Sequence, residues 1–490
     1  MTWPDPTSTV GLIFLILEVG LRLIALGVIP GNRKPSTGMA WLLLIMVEPI
    51  IGFLVFLMFG RTRLGSRRIG RQREAIRAIR ERTDRLPMTF DTNRLPAPIA
   101  RVASLNHHLG ALPLTGGNEV QLWDDYQALI LEMAAEVDRA RSHVHVEFYI
   151  TAWDEVTDPL FQSMIRATAR GVDVRLLFDH LGSRRIAGYH RMLRRLRKTD
   201  IDWHPMLPIK PLKGRFRRPD LRNHRKILVV DGSVGFTGSL NLTEPGYHSA
   251  KNHRLGREWV ELMVRLEGPV VGGLNGVFAT DWYVETGDVV ELVAVHGTPD
   301  TRPDEVLDVP CQVVPSGPGI AAENNLRMFT TLIYAATERI SLTSPYFVPD
   351  ESLLYAVTTA AERGVDVELF VSEVADQFMV GHAQASYYRA LLEAGVRIHR
   401  YPAPLILHAK HFTIDDTVAV IGSSNMDMRS FGLNYEVSLM LPDPAVVARM
   451  REVEDGYRAL SKELTLADWD RRPRTVRFVD NVMRLTAALQ

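Results

Sequence analysis

At 490 residues, 46% of them hydrophobic and 23% charged, the chain is too long for one ordinary domain and too apolar for disorder. Its 57 basic and 57 acidic residues cancel, so a whole-chain field for nucleic acid or anionic lipid is excluded and only local patches can supply one. The single cysteine, Cys311, excludes an internal disulfide and a thiolate metal cluster.

The chain opens on two apolar runs, residues 10–29 and 39–59, each of the ~20-residue length that crosses a bilayer core. A cleaved signal peptide fits worse, because the N-terminus carries Asp5 and no basic residue, and a second run follows at once. The expectation over residues 1–60 is a two-helix transmembrane hairpin. Its short loop holds Arg33 and Lys34, whereas Arg61, Arg63, Arg67, Arg68, Arg71 and Arg73 follow the second run. That bias predicts a multi-pass protein of the inner (cytoplasmic) membrane with both ends and the bulk of the chain in the cytoplasm. Glu18 and Arg22, four apart in the first run, are expected to neutralise each other or to involve Glu48.

Residues 61–115 read as a basic juxtamembrane helix and linker. Ten arginines within 61–85 face only Glu74, Glu81 and Asp84, with Ile69, Ile76 and Ile79 at roughly helical spacing, a pattern suited to anionic headgroups.

From about residue 116 the chain repeats itself. "ARGVDVRLLFD" at 169–179 returns as "ERGVDVELFVS" at 362–372, each a helix end, a glycine and a buried strand. A helix and strand precede each copy, with Tyr149 and Tyr346 in matching places. The repeat is therefore a whole domain, 116–295 and then 296–490, and helices alternating with apolar strands predict an α/β fold in each.

Each repeat then carries H-x-K-x4-D-x6-G-S-x-N: His224, Lys226, Asp231, Ser239 and Asn241 in the first, His408, Lys410, Asp415, Ser423 and Asn425 in the second. Six fixed residues arise by chance roughly once in 10⁸ start positions, so two copies are not accidental. On a strand, residues two apart share a face, which would put each histidine beside its lysine. Imidazole can attack or donate a proton, lysine supplies positive charge, and Ser and Asn supply neutral donors; together they suit a phosphodiester. Displacement at phosphorus needs an attacking group and a proton donor on opposite sides, and one copy can supply each. No H-E-x-x-H, zinc-spaced Cys/His set or P-loop is present, so no metal and no other cofactor is expected. His411 falls on the other strand face and reads as structural, as do His107, His108, His143 and His145. The basic stretch 209–226 reads as a gate for an anionic substrate. It lacks the interleaved aromatics of a single-strand nucleic-acid groove, so no nucleic acid is expected.

These paired motifs resemble the HKD motifs of the phospholipase D superfamily. With the apolar hairpin, "GHAQASYYRALLEAGVRIHRY" and "SSNMDMRSFGLNYEVSLML", nearly the whole chain is most similar to the bacterial cardiolipin synthases within it. The resemblance implies two tandem phospholipase D-like α/β sandwich domains related by a pseudo-twofold axis, with one site at their junction and a phosphatidyl-histidine intermediate. It implies His224 as nucleophile and His408 as general acid and then base, the reverse being the alternative. Lys226, Lys410, Ser239, Asn241, Ser423 and Asn425 are implied phosphate-binding residues, and Asp231 and Asp415 supporting ones. An acidic residue downstream of each histidine is implied to orient it: Glu261, with Glu258 its competitor, in the first repeat, and Glu436 in the second. The expected reaction converts two phosphatidylglycerol molecules to cardiolipin and glycerol. Hydrolysis to phosphatidic acid, a CDP-diacylglycerol-dependent transfer, a nuclease and an inactive scaffold are the competing functions. Departures such as "GSLN" in the first motif bear on acceptor choice.

Overall fold

The structure is a computed structural model that describes residues 9–32, 35–60, 66–83, 90–110, 112–209, 220–290, 306–320 and 323–486. The chain forms two compact units, the first built from the N-terminal helices. There α1 (Thr9–Val28) has a mean hydropathy of 2.2 and, among the described residues, is the one helix long and apolar enough to cross a membrane. The second apolar run is not the single span expected. It breaks into α2 (Pro35–Val47) and α3 (Pro49–Val55), because Pro49 disfavours helical backbone at Glu48, which sits at φ −130°. The two pieces fold on each other: Trp41 and Phe56 meet at 5.5 Å, and a Cβ on Gly52 would lie 2.9 Å from Ile45 Cα. Arg22 and Glu18 pair at 3.3 Å, as expected, and Arg22 also donates to the Met46 carbonyl.

The second unit begins with α4 (Ser66–Thr83) and α5 (Ala97–Gly110). Its first half runs β1 (Thr115–Trp123), α6 (Tyr126–Arg139), β2 (His143–Phe148), α7 (Asp158–Ala169), β3 (Asp173–Asp179), α8 (His180–Arg184), α9 (Tyr189–Leu196) and β4 (Asp202–Met206). It continues through β5 (Lys226–Val230), β6 (Val234–Gly238), α10 (Ala250–Leu255), β7 (Trp259–Val260), β8 (Met263–Glu267) and α11 (Val270–Thr286). The second half runs β9 (Val306–Ser316), α12 (Asn324–Ala335), β10 (Arg339–Thr343), β11 (Phe347–Val348), α13 (Glu351–Glu362), β12 (Asp366–Ser372), α14 (Phe378–Glu393) and β13 (Arg397–Tyr401). It closes with β14 (Ile406–Leu407), β15 (His411–Ile414), β16 (Val418–Gly422), β17 (Met426–Asp427), α15 (Met428–Gly432), β18 (Glu436–Leu441), α16 (Pro444–Leu460), β19 (Lys462–Leu464), α17 (Leu466–Asp470) and α18 (Arg474–Arg484).

Among the described residues fifteen strands form one sheet, ordered β19-β13-β12-β10-β15-β16-β18-β9-β1-β8-β6-β5-β2-β3-β4. The order reads the same outward from the centre in both directions, with only β19 added at one edge, so the duplication appears as a sheet folded from two equivalent halves. Antiparallel pairing of β1 with β9 joins them. One core lies in each half, and a third, under α11 and α16, draws residues from both.

The basic helix α4 is docked on α11. Arg68 is almost fully buried and pairs with Glu285, Arg71 donates to the Tyr283 and Val284 carbonyls, and Tyr283 donates to Glu74. Its inner arginines therefore hold protein, while Arg73 and Arg77 are exposed and Arg80, also exposed, donates to the His108 carbonyl at 3.0 Å. Most of the expected substrate gate, residues 210–219, lies outside the described residues.

Candidate active site at the junction of the two halves

The histidine and lysine of each motif do not share one strand face: His224 precedes β5, which Lys226 opens, while His408 and Lys410 lie between β14 and β15. Each lysine Nζ still turns to its own histidine, donating to the carbonyl of His224 or His408 at 2.6 Å. The extended segments instead pair across the halves. β7 pairs with β14, Leu407 opposite Val260, which sets His408 next to Glu261. Asn223 bridges Tyr435, which sets His224 next to Glu436.

The carboxylate partners are therefore crossed relative to the order of the sequence. His408 Nδ1 lies 2.8 and 2.9 Å from the two oxygens of Glu261, and His224 Nδ1 lies 3.1 Å from Glu436 Oε1 and 3.2 Å from Asn434 Nδ2. An acid downstream of each histidine in its own repeat was the expectation; each half instead presents its acid to the other half's histidine, because the bridging backbone pairs run between halves. Glu258, the competitor, takes part through its backbone, its carbonyl accepting from Ile406 N at 2.9 Å.

The serines are also re-assigned. Ser239 and Ser423, expected on the phosphate, are completely buried and donate to Glu261 and Glu436, each at 2.6 Å. A hydroxyl has one proton, and here the carboxylate takes it. Each serine also accepts the amide N–H of the residue after that glutamate. The glycine of G-S-x-N follows from the same packing. A Cβ on Gly238, at φ 147°, would fall 2.5 Å from the Leu262 carbonyl, and one on Gly422 would overlap the Val437 carbonyl.

Asn241 donates to Tyr247 Oη at 2.8 Å and accepts from Ile150 N, while Asn425 donates to Asp427 at 3.1 Å and its Oδ1 finds no partner among the described residues. Asp231 and Asp415 sit at the far turns, not at the histidines. Each adopts positive φ (52° and 48°), a conformation aspartate tolerates, and accepts a run of backbone N–H groups: residues 141–143 for Asp231, 337–339 for Asp415. They fasten the start of β2 and β10. His411 is fully buried beside Glu454, and His145 bonds Asn275, both within the core.

Burial dominates the electrostatics. It pushes Lys226 down to about 8 and Lys410 to about 7, against the pull of Glu436 and Glu261. Burial likewise lowers both histidines, opposed by their glutamates. For Glu261 and Glu436 burial alone would raise the pKa, but the facing histidine, lysine and serine outweigh it and hold both below the usual carboxylate range. Each carboxylate acts on both lysines and Lys226 acts on Lys410, so the two motifs form one electrostatic cluster.

Residues that sequence reasoning missed complete the surroundings. Tyr149 packs its ring 4.2 Å from His224; its match with Tyr346 across the repeat was the available signal. Asn434, two before Glu436, had none. Arg225, buried between His224 and Lys226, donates to the Glu436 and Ser316 carbonyls and pairs with Asp281. Ala409 stands in the same place in the second motif, so the halves are not electrostatically identical.

Such a cluster, two imidazoles each backed by a carboxylate and two buried ammonium groups, can hold a phosphate diester, attack it and move a proton. The family profile described as cardiolipin synthase, PLD-like domain, matches residues 133–282 and 329–455, and one described as phospholipase D-nuclease N-terminal matches 20–61. Cardiolipin synthase A of Yersinia pestis is 33% identical over 95% of this chain and 94% of its own, and that of Wigglesworthia glossinidia brevipalpis 30% over 95% and 93%. Among solved structures, phosphatidylserine synthase of Haemophilus influenzae shares the fold, with a TM-score of 0.59 and 14% identity over 80% of this chain and 100% of its own. With the profile matched in both halves and relatives aligned over 95% of its length, the chain belongs to the cardiolipin synthase family of phospholipase D-type phosphatidyltransferases and is membrane-associated.

Proposed function

We propose that the protein joins two phosphatidylglycerol molecules into cardiolipin and glycerol by a ping-pong route. His224 Nε2 attacks the phosphorus of the first lipid, the phosphorus–glycerol oxygen bond breaks, and His408 gives its proton to the departing glycerol. The terminal hydroxyl of a second phosphatidylglycerol then yields its proton to His408 and attacks phosphorus, breaking the phosphorus–nitrogen bond and freeing His224. Lys226, Lys410, Asn241 and Asn425 hold the phosphate oxygens, and no divalent ion takes part.

The observation that carries this reading is the crossed pairing. A carboxylate on Nδ1 leaves Nε2 as the working nitrogen of each ring. We take His408, paired with Glu261 at 2.8 Å, as the acid, and His224, 3.1 Å from Glu436, as the nucleophile, with the reverse assignment as the alternative. We further take residues 116–295 and 296–490 as the two repeats. We also place the catalytic body on the cytoplasmic side of a multi-pass inner-membrane anchor, on the arginine bias after residue 60.

The test feeds labelled phosphatidylglycerol to the protein in lipid micelles with chelator present and reads products by mass spectrometry. Cardiolipin plus glycerol, absent in His224→Ala and in His408→Ala, is expected. Phosphatidic acid alone would make water the acceptor, and dependence on CDP-diacylglycerol or on a divalent ion would refute the route. Labelling of Glu452→Cys in inverted but not right-side-out vesicles tests the orientation.

A further inference from the structure

The C-terminal helix α18 turns the wrong face outward for a surface helix. Its inner stripe is satisfied: Asp480 is buried, accepts from His382 Nδ1 at 2.7 Å and pairs with Arg472 at 2.8 Å, and Met483 packs against the core of the second half. Its outer stripe, Arg474, Phe478, Val482 and Leu485 at intervals of four, four and three, should then be polar. Instead Phe478 is 69% exposed and Leu485 85%. Beside it, at the start of α14, Phe378 is 67% exposed, with its ring 4.4 Å from that of His382, and Met379 is also exposed.

Along the helix itself the charge is basic, while Asp376, two residues before Phe378, accepts from Tyr346 Oη, and Asp350 and Glu351 act on Tyr387. Residues 471–485 contain five arginines and a single acid, Asp480, which the inner face consumes. Arg474 is exposed, Arg471 is exposed and pairs with Asp468 at 3.1 Å, and Arg484 lies over the Tyr387 ring. An apolar stripe flanked by arginine is the composition of a helix that lies in a membrane interface, its apolar side among acyl chains and its cations at headgroups. The patch also borders the candidate site. Gln377, the residue before α14, donates to Tyr346 Oη, and the strand that begins at Phe347 pairs with the one that follows Asn425, Phe347 opposite Met426.

We propose that α18 and the start of α14 form a monotopic membrane-contact surface that rests on an anionic phospholipid bilayer and brings the second motif to it. This rests on the proposed function only in taking the substrate from a bilayer.

The test uses the full chain in vesicles of phosphatidylglycerol and phosphatidylcholine. Cys311, the single and buried cysteine, is replaced by alanine. Phe478→Cys or Val482→Cys carries a bimane label, with Glu452→Cys as the aqueous reference. Expected is a blue shift and quenching by doxyl-labelled lipid at 478 and 482 but not at 452, weakened when phosphatidylcholine replaces phosphatidylglycerol. Adding Phe478→Asp and Leu485→Asp should abolish the quenching at 482 while leaving the thermal midpoint in place. Spectra at 478 equal to those at 452 overturn the proposal, as does a blue shift insensitive to doxyl lipid and lost on dilution into excess vesicles, which marks a second copy of the chain. Lipid-independent quenching overturns the role of the arginines. None of these readouts needs turnover, so an error in the assigned reaction cannot imitate a failure here.

Discussion

Replacing Glu261 by glutamine keeps the shape of the side chain and removes one charge from the centre of the cluster. The carboxylate meets His408 Nδ1 through both oxygens, at 2.8 and 2.9 Å, takes the Ser239 proton at 2.6 Å, and is 4% exposed, so solvent cannot replace it. A hydrogen bond to a charged group contributes about 1.5–3 kcal/mol. At about 1.36 kcal/mol per tenfold in rate, kcat falls roughly tenfold to 150-fold if the pair matters only when His408 is imidazolium. The His408 pKa falls as well, because Glu261 is the group that opposes the effect of burial there. Steady-state transfer in micelles gives kcat and KM, and NMR titration of the ring gives the pKa. The crossed pairing also predicts which step suffers. Glu261→Gln slows both half-reactions, because His408 first protonates the departing glycerol and then activates the acceptor, whereas Glu436→Gln slows chiefly the first, formation of the covalent lipid adduct, trapped by acid quench. A Glu261→Gln protein with normal kcat, or one that perturbs the His224 titration and spares His408, would refute the reasoning.

Three further outcomes follow from the same geometry. Because burial lowers Lys410 to about 7 and Lys226 to about 8, each cation is present below those values and lost above them. Transfer should therefore decline as pH rises through that window, displaced upward by bound phosphate, and Lys410→Arg, which stays charged, should remove the lower part of the decline. Asp231→Ala deprives three backbone N–H groups of their acceptor at a positive-φ turn and should lower stability by about 2–4 kcal/mol, seen as a lower Tm, with near-normal kcat per folded molecule. Ser239→Ala should lower kcat while leaving KM for phosphatidylglycerol in place, since its proton goes to Glu261; a rise in KM alone would return it to the phosphate.

The parts of the fold legible in the sequence were those with a local period or a repeat. The helix, glycine and buried strand in "ARGVDVRLLFD" and "ERGVDVELFVS" became β3 and β12 in equivalent places of the sheet. The motif residues were legible as types, since a histidine and a lysine two apart, in two copies each followed by G-S-x-N, form too specific a pattern to arise by accident. Partnership between them was not. Glu261 and Glu436 are assigned by Leu407 opposite Val260 and by Asn223 opposite Tyr435, backbone pairings with no signature in composition or spacing. The Ser239–Glu261 bond was hidden for the same reason, because a hydroxyl suits a phosphate and a carboxylate alike and only the fold brings the carboxylate to 2.6 Å. Hydropathy in the second apolar run outweighed one proline, yet Pro49 divides it.

Because each half lends its acid to the other half's histidine, neither half is a diminished version of the whole. A half expressed alone keeps a complete motif and loses the group that orients its ring, so its residual activity should be closer to none than to one half. Two separately expressed halves could regain function only by re-forming the β1–β9 junction and both bridging pairs together. Mutations that spare one motif and disable the other are, for the same reason, failures of both, and duplication here has produced mutual dependence in place of redundancy.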